Sequence, residues 1–451
     1  MGRWKCIRSN VCLSISLLLV LLIAQDFATL PAAAADTGSV QTPTRFSARG
    51  TLVGRTDTQK PLTLAVALKV QDEAGLDTFL HELYDPASSH YRQYLTPQQF
   101  TGQFISAASR KQVADYLRTQ GLTVSDPGVG ATLTATAAVA QVERAFSVTI
   151  SDYKAASGRI FFANDKTPAV PPAIAQIIQG IVGLDNAAES EPQLVRGPVQ
   201  ATQRDVGANA TPSGCTSAVS RANKSGSYTP NEFATAYNFD AFSAKGFHGE
   251  GQTIALFELA DYLDADASTY QSCFGSNVLL QRVAVDGGGA LGGVGELEVE
   301  LDIDVITGMV PKLAKLLVYE SPNAAQSSVN QYQKIANDNL ARVVSSSWGG
   351  CESSYTPTYY TLLNTVFKQM ATQGQTALVV TGDFGSTGCS TSTALAVQAE
   401  GAQPYVTAVG GTKLTLLSNN AYSSEATWND YSVTGGAGGG GLSTYWAKPS
   451  Y

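Results

Sequence analysis

Two regions with different hydrophobic patterns follow one another along the chain. Between residues 45 and 186, short runs of alternating apolar and polar residues are interspersed with amphipathic stretches. The predicted elements are a strand over 63–71, helices over 74–85, 106–121 and 137–146, and hairpins around 126–128 and 156–158. This order of helices and hairpins predicts a small α+β domain of the ferredoxin-like type.

Residues 187–214 have a different character from the segments on either side. They are polar, contain several prolines and glycines, and show no helical or strand periodicity. Such composition is typical of an exposed connection, where proteases cut readily. We therefore predict a linker and processing region here.

Residues 215–451 repeat a strand–helix pattern. The predicted strands are 253–259, 315–321, 342–349, 377–383 and 405–412. Strands that are apolar on both faces and separated by helices indicate a buried parallel sheet, hence an α/β fold. Ligands of such sheets bind beyond the carboxyl ends of the strands. The segments SSSWG and TGDFG both fall at such ends.

The first residues predict a secretory signal peptide over 1–35. Arg3, Lys5 and Arg8 precede an apolar run over 11–23, and three alanines at 33–35 provide a small-residue cleavage pattern. The alternative is an uncleaved membrane anchor, which needs an apolar stretch of roughly 20 residues. No later segment is apolar for that length, so we expect a secreted protein without a membrane anchor.

Length, charge and cysteine content narrow the class of protein. A chain of 451 residues exceeds one ordinary domain. The net charge of -8 argues against a nucleic-acid partner, because there is no basic stripe. Four cysteines follow the signal, and of their three possible pairings we favour Cys215–Cys273 and Cys351–Cys389, since each closes a local loop. A zinc site is the alternative, but the chain has no CxxC pair and three histidines.

The candidate chemistry begins with Glu298 and Asp302. Residues four apart share one face of a helix, where two carboxylates repel each other. An exposed acidic face would explain such a pair, and Glu296/Glu300 and Glu300/Asp304 have the same spacing. The apolar residues between these acids predict that the segment is largely buried, which favours function for at least one pair.

Asp383 is a second candidate. It follows an apolar strand and lies between Gly382 and Gly385. An acidic residue at a strand end between glycines is also a common turn device. By itself the position does not distinguish the two interpretations.

Several segments together resemble the sedolisins, the serine-carboxyl peptidases. These segments are GELEVELDIDV, VVSSSWGGCE, VVTGDFGSTGC, QPYVTAVGGT and GGAGGGGLSTYWAKPSY. Upstream, YDPASSHYRQYLTPQQF at 84–100 resembles the activation propeptide of the pro-kumamolisin type. The resemblance extends from about residue 45 to 451. It implies a subtilisin-like parallel sheet flanked by helices over 215–451, preceded by a ferredoxin-like propeptide over 45–186.

The resemblance implies a role for individual residues. Glu298 matches the general base, Asp302 the carboxyl that orients it, and Asp383 the acid of the oxyanion hole. Glu258 and Trp348 match residues that extend the hydrogen-bond network. The residues that resemble backbone lining the substrate cleft are Ser345, Ser346, Ser347, Gly349, Gly438, Gly439, Gly440 and Gly441.

This set of residues suits an acidic working pH. His248 is the one histidine after residue 215, which disfavours the histidine triad of a subtilisin. A glutamate base works where its pKa matches the medium, and a carboxyl group in an oxyanion hole must keep its proton to donate. We therefore expect a secreted zymogen, monomeric, that acts on polypeptides in acid and is inhibited by its own propeptide.

The sequence also departs from the family. Sedolisins carry a nucleophilic serine in a Gly-Thr-Ser turn and a C-terminal calcium site, and neither occurs in these 451 residues. Lys413 stands where Gly410-Gly411-Thr412 would require the serine. We therefore expect that the chain is truncated before its nucleophile and that its parallel sheet is incomplete. Such a chain would be inactive and would have no metal site of its own. The alternative is a secreted, non-catalytic peptide-binding protein on the same scaffold.

Overall fold

Strands and helices alternate through the described part of the chain, which comprises residues 38–39, 50–194, 212–225, 227–389 and 394–449 of a computed structural model. The N-terminal strands are β1 (Gly38–Ser39), β2 (Gly50–Arg55), β3 (Pro61–Leu68), β4 (Thr123–Ser125), β5 (Thr132–Ala138), β6 (Ile150–Ala155), β7 (Ile160–Asn164), β8 (Ala169–Val170), β9 (Ile178–Val182) and β10 (Glu191–Pro192). The N-terminal helices are α1 (Glu73–Tyr84), α2 (Pro97–Phe104), α3 (Ala107–Thr119), α4 (Val139–Phe146) and α5 (Pro172–Ala175). The predicted signal peptide lies outside the described residues, as does 195–211 of the predicted linker.

The N-terminal domain has the predicted ferredoxin-like sheet. Its four strands follow the order β4-β5-β3-β9, and every neighbouring pair is antiparallel. Helices α1 to α3 connect β3 to β4, and α4 follows β5. The predicted hairpin β6-β7 joins β2 in a separate three-stranded sheet.

Helix α2 was not predicted, although the sequence carries a signal for it. The Thr96 hydroxyl accepts from the Gln99 N–H at 3.2 Å, and the Gln99 side chain accepts from the Thr96 N–H at 2.8 Å. This reciprocal pair is a capping box, and Pro97 occupies the first helical turn, where proline is favourable. The helix has only eight residues, too few for its periodicity to be evident.

The C-terminal domain contains the remaining elements. Its strands are β11 (Thr253–Glu258), β12 (Leu280–Ala284), β13 (Lys315–Glu320), β14 (Val343–Ser346), β15 (Trp348–Gly349), β16 (Thr376–Val380), β17 (Thr407–Val409), β18 (Thr412–Leu416) and β19 (Tyr422–Thr427). Its helices are α6 (Thr216–Ser225), α7 (Pro230–Ala236), α8 (Asp240–Ser243), α9 (Asp264–Phe274), α10 (Gly293–Met309), α11 (Ala325–Asp338), α12 (Pro357–Thr372) and α13 (Tyr431–Thr434). Two 3-10 turns lie at Glu352–Ser354 and Gly385–Thr387.

The predicted parallel sheet is present. Six strands follow the order β12-β13-β11-β14-β16-β17, and all neighbouring pairs are parallel. Strand β12 was not predicted because Gln281 and Arg282 interrupt its apolar run at the edge of the sheet. The carboxyl ends of β11, β14 and β16 therefore lie side by side.

Helices α11 and α12 are covered on two sides, which explains their many buried polar residues. They pack against the parallel sheet on one side, while β3 and β9 of the N-terminal domain pack against the other. Across this second interface, the Ala131 N–H donates to Gln333 Oε1 at 3.2 Å. Lys368 forms ion pairs with Glu73 at 3.1 Å and Asp77 at 2.6 Å. The N-terminal domain is thus docked through both apolar and polar contacts.

The four described cysteines form the two pairs that the sequence favoured. Cys215 joins Cys273 with a Cα–Cα distance of 4.8 Å, and Cys351 joins Cys389 at 5.1 Å. The second disulfide ties the segment after β15 to the loop that follows Asp383. Among the residues that the structure describes, no helix is long and apolar enough to cross a membrane.

Candidate functional site

An acidic cluster lies at the carboxyl ends of the central parallel strands. Glu258 is the last residue of β11, Trp348 follows β14 by two residues, and Asp383 follows β16 by three. Helix α10 contributes Glu298 and Asp302. Residues that are far apart in sequence therefore meet at the edge of the sheet where ligands of α/β folds bind.

Helix α10 presents one acidic pair to this cluster. Glu298 is 2% exposed, beside the buried Val299 and Ile303. The prediction that the segment is largely buried holds for one face only, because Leu301 is 43% and Val305 53% exposed. A helix packed on one side buries only one stripe, so the alternating apolar residues divide between the inner and outer faces.

The other acids of this helix lie elsewhere. Glu296 accepts a hydrogen bond from the Gly292 N–H at 2.6 Å, at the start of the helix. Glu300 accepts from the Leu263 N–H at 3.4 Å, before α9. Burial is the main cause that raises the pKa of Asp304 to about 7, and the charge on Glu300 adds to it. The sequence left three pairs of acids with the same spacing as candidates. Of these pairs, the structure brings only Glu298/Asp302 into the described cluster.

Glu258 is fixed between an indole and a carboxyl group. The Trp348 Nε1–H donates to Glu258 Oε2 at 2.7 Å, and both side chains are buried. Burial, followed by the charge on Asp302, raises the pKa of Glu258 well above its usual range. The rise in pKa favours the neutral form of Glu258 beside Asp302.

Asp302 lies between Glu258 and the cleft. Its Oδ1 accepts from the Ser347 hydroxyl at 2.8 Å. Burial raises its pKa to about 6, while hydrogen bonds from Ser347 and Glu258 oppose that rise. Glu258 Oε1 and Asp302 Oδ2 are buried and have no hydrogen-bond partner among the described residues.

Glu298 is the group of the cluster whose protonation and hydrogen bonding are least fixed by the protein. Burial raises its pKa to about 8, and the charges on Asp302 and Asp383 contribute to this rise. Its Oε2 atom is buried and lacks a hydrogen-bond partner within the described part of the chain. A carboxyl group of this kind has an oxygen that is not committed to the protein and a pKa suited to proton transfer.

The loop that carries Asp383 is supported by the glycine-rich segment 435–441. The Asp383 carbonyl accepts from the Ala437 N–H at 2.8 Å, and the Gly382 carbonyl accepts from the Gly439 N–H at 2.7 Å. A Cβ atom on Gly439 would lie 2.0 Å from the Thr381 carbonyl oxygen, so only glycine permits this approach. The segment is therefore part of the wall of the site. Its glycine-rich composition, taken alone, would suggest a flexible linker.

The predicted cleft residues lie in four different places. Ser345 and Ser346 belong to β14 inside the parallel sheet, and Ser346 is buried. Ser347 is partly exposed and Gly349 is buried, and both lie at that strand end against another segment of the chain. Gly440 and Gly441 line a cavity of about 550 Å³. Gly439 supports the Asp383 loop, whereas the Gly438 N–H donates to the Trp428 carbonyl.

The segment that faces Ser347 and Gly349 is the end of the N-terminal domain. Strand β10 pairs antiparallel with β15, so that Glu191 lies opposite Gly349 and Pro192 opposite Trp348. Gln193 continues this pairing by donating its N–H to the Ser347 carbonyl at 3.2 Å. The sequence did not identify these residues, because they lie in a stretch without periodicity.

Among the residues that the structure describes, no group of three or more histidine, cysteine, aspartate or glutamate side chains is able to hold a metal ion.

Comparisons with known proteins found a matching family model and several similar proteins. Residues 48–187 match the family described as "Pro-kumamolisin, activation domain". Kumamolisin of Bacillus sp. (strain MN-32) is 31% identical over 409 residues, which cover 86% of this chain and 69% of that protein. Sedolisin of Pseudomonas sp. (strain 101) is 26% identical over 86% of this chain and 66% of its own length.

Two further similarities extend the comparison. Tripeptidyl-peptidase 1 of Canis lupus familiaris is 26% identical over 88% of this chain and 68% of that protein. A solved structure of Pseudomonas sedolisin, a serine-carboxyl proteinase, aligns with a TM-score of 0.43 and 24% identity, covering 49% of this chain and 64% of that chain. The present chain spans about two thirds of the length of these relatives.

Proposed function

This chain belongs to the sedolisin family of serine-carboxyl peptidases, and we propose that it is the zymogen part of a secreted peptidase that acts on polypeptides in acid. The observation that carries the proposal is the row of carboxyl groups at the carboxyl ends of the sheet, in which Glu258 and Glu298 are buried and Asp302 is partly buried. Carboxyl groups are costly to bury unless their protonation is used or compensated.

The proposed roles follow from the protonation of each group. Glu298 is the general base that takes a proton from a nucleophilic hydroxyl and later returns it to the leaving amine. Asp302 orients Glu298 and is itself held by Ser347 and the protonated Glu258. Asp383, as a carboxylic acid, donates a hydrogen bond to the oxyanion of the tetrahedral intermediate. These roles apply to a protein that also carries the nucleophilic serine of the family.

The proposed base and the proposed oxyanion donor respond to acid in opposite ways. The pKa of Glu298 is raised to about 8, so only a fraction of the molecules carry its ionised, basic form at low pH. That fraction changes when substrate or a nucleophile alters the surroundings of Glu298. An Asp383 carboxyl group, by contrast, donates only when protonated. We propose that protonation of the oxyanion donor Asp383 sets the acidic working range. Docking of the serine and of substrate then adjusts the pKa of the base, Glu298.

The N-terminal domain is proposed to act as an intramolecular inhibitor. Its end, β10 and Gln193, lies antiparallel on β15, in the manner of an extended peptide added to a strand edge. A substrate that used this edge would have to displace it. Cleavage within 187–214 would then free the cleft, and secretion is supported by the N-terminal pattern and by the two disulfides.

The test is acid proteolysis by the complete protein, expressed as zymogen from its full gene. We expect self-processing and cleavage of a denatured protein substrate at acid pH, with little activity above neutrality. Glu298→Gln and Asp302→Asn each remove an ionisable group from the cluster and are expected to lower kcat by at least about a hundredfold. Glu300→Gln makes the same change on the outer part of α10 and serves as the control. Equal activity of Glu298→Gln and Glu300→Gln would contradict the proposed base.

A further inference from the structure

We propose that the cleft contains a subsite that selects a glutamine side chain in the bound peptide. This subsite is formed by the Asp383 backbone N–H and the Gly349 carbonyl. The proposal rests on the proposed function, since it treats the end of the N-terminal domain as an internal peptide held where substrate binds. It identifies the substrate class as polypeptides with a carboxamide side chain at that position.

The backbone of this internal peptide is aligned as a bound strand. Glu191 pairs with Gly349 and Pro192 with Trp348, and the Gln193 N–H bonds to the Ser347 carbonyl. Antiparallel pairing of this kind fixes which residue of a peptide lies opposite each cleft residue. The residue that donates its N–H to Ser347 is therefore the one whose side chain enters the subsite.

The residue just before this strand is also fixed. The Ser190 carbonyl accepts from the Asn323 Nδ2 at 2.7 Å, and the Ser190 hydroxyl lies 2.9 Å from the Tyr355 hydroxyl. Ser190 is buried, as is Tyr355. The strand is thus held from its N-terminal side, and Gln193 reaches the subsite in a defined register.

The Gln193 side chain forms hydrogen bonds with one backbone donor, in the Asp383 loop, and one backbone acceptor, in β15. These two segments are the walls of the subsite. Its Oε1 accepts from the Asp383 N–H at 3.1 Å, and its Nε2 donates to the Gly349 carbonyl at 3.4 Å and to the Glu191 carbonyl at 2.8 Å. Gln193 is 7% exposed, so these bonds form largely out of water. A carboxamide is a neutral group that accepts at one end and donates at the other, as these walls require.

Gln398 keeps the two walls in place. A Cβ atom on Gly349 would lie 2.8 Å from Gln398 Oε1, and one on Gly382 would lie 2.7 Å from Gln398 Nε2. The buried Gln398 side chain therefore packs closely against both glycines that flank the subsite. This contact sets the separation between the donor and the acceptor that bind the carboxamide.

Other side chains fit these walls less well. Leucine has a similar size but offers neither an acceptor for the Asp383 N–H nor a donor for the Gly349 carbonyl. Ionised glutamate retains the acceptor, loses the donor, and places a negative charge near the acidic cluster. Each lost bond to a buried neutral group weakens binding by several-fold, so we expect roughly tenfold discrimination against both residues.

The first experiment measures docking of the internal strand in the full chain. Hydrogen exchange of the peptide covering 190–194 reports how often the strand leaves β15. We expect Gln193→Leu and Gln193→Glu to reduce protection by roughly tenfold near pH 6, where glutamate is ionised. Gln176→Leu, which alters an exposed glutamine of the same domain, is the matched control, and thermal unfolding verifies that each variant is folded.

The second experiment measures selection of peptides added in trans. Labelled peptides that copy residues 189–196, with glutamine, leucine or glutamate at the fifth position, are titrated into the folded Gln193→Gly chain, whose own strand lacks the side chain that fills the subsite. Fluorescence anisotropy is expected to show roughly tenfold tighter binding of the glutamine peptide. Equal affinity of the three peptides would overturn the subsite while leaving a peptide-binding cleft. No binding of any peptide would overturn both the subsite and the proposed use of the cleft.

Discussion

The Trp348 indole N–H donates a 2.7 Å hydrogen bond to Glu258, an acid whose pKa is raised by burial and by the charge on Asp302. Trp348 lies at the end of one central strand and Glu258 at the end of its neighbour, so the bond bridges the sheet edge below the site. Since both groups are buried, the bond determines the orientation of the whole row of carboxyl groups up to Glu298. The variants below test parts of this arrangement.

Replacement of Glu258 distinguishes a neutral hydrogen-bonding role from a charged one. Glu258→Gln retains an acceptor for Trp348 and a donor toward Asp302, so we expect the free energy of unfolding to change by less than about 1 kcal/mol. Glu258→Leu removes the acceptor of a buried indole N–H and is expected to cost about 1–3 kcal/mol. Urea denaturation followed by tryptophan fluorescence measures both. A larger loss for glutamine than for leucine would show that Glu258 is ionised.

The stability of the fold should rise as the medium becomes mildly acidic. The pKa of Glu298 is raised to about 8 in the folded protein, while an unfolded glutamate titrates near about 4.3. The folded state therefore binds the proton more tightly, and its contribution to stability is complete below the unfolded pKa. That contribution decreases as the pH rises from about 4.3 toward about 8, by at most roughly 1.4 kcal/mol per pH unit.

Denaturant titrations of the full chain at several pH values between these limits measure this dependence. Glu298→Gln cannot ionise and is expected to flatten the slope over that range. The Glu300→Gln variant is the control on the same helix. An unchanged slope in Glu298→Gln would indicate that this glutamate is ionised in the folded protein, contrary to the electrostatics of its burial.

Gly439 is expected to tolerate no side chain. A Cβ atom there would lie 2.0 Å from the Thr381 carbonyl oxygen, and backbone atoms cannot move aside as a flexible side chain does. We expect Gly439→Ala to cost about 1–3 kcal/mol or more, and to displace the Asp383 loop. Gly54→Ala is the control, because no atom lies within 4 Å of the added Cβ. Thermal unfolding of the two variants should differ accordingly.

The two disulfides should differ in their effect on the site. They close loops of 38 and 58 residues, so removal of either pair is expected to cost about 3–4 kcal/mol. Cys389 lies six residues after Asp383, whereas Cys215 and Cys273 lie apart from the cluster. We expect the Cys351→Ala/Cys389→Ala double variant to lose peptide binding more strongly than Cys215→Ala/Cys273→Ala at matched stability. Similar losses in both would assign the Cys351–Cys389 bond a purely structural role.

The ion pairs of Lys368 are expected to help hold the N-terminal domain in place. Lys368→Met leaves Glu73 and Asp77 without their common cation, and the side chain of Lys368 is only 11% exposed. We expect faster proteolytic separation of the two domains and a loss of about 1 kcal/mol in docking free energy. Lys111→Met, which breaks an exposed ion pair within α3, is the control and should leave docking unchanged.

The sequence by itself determined the local and repetitive features of this protein. Helices such as α3 and strands such as β11 follow from periodicity and turn residues, and the alternation of strands with helices was enough to predict the parallel sheet. The spacing of Glu298 and Asp302 placed both on one face of a helix. The order and identity of several motifs were sufficient to indicate the family.

Only the tertiary structure decided which faces and segments meet. Periodicity cannot tell that Glu298 points inward while Leu301 points to solvent, because that depends on where α10 packs against the sheet. The position of Gln193 beside Asp383 joins residues 190 apart in sequence, across a connection with no pattern of its own. Contacts of this kind depend on the packing of the two domains, whereas sequence patterns report only the short-range geometry of the backbone.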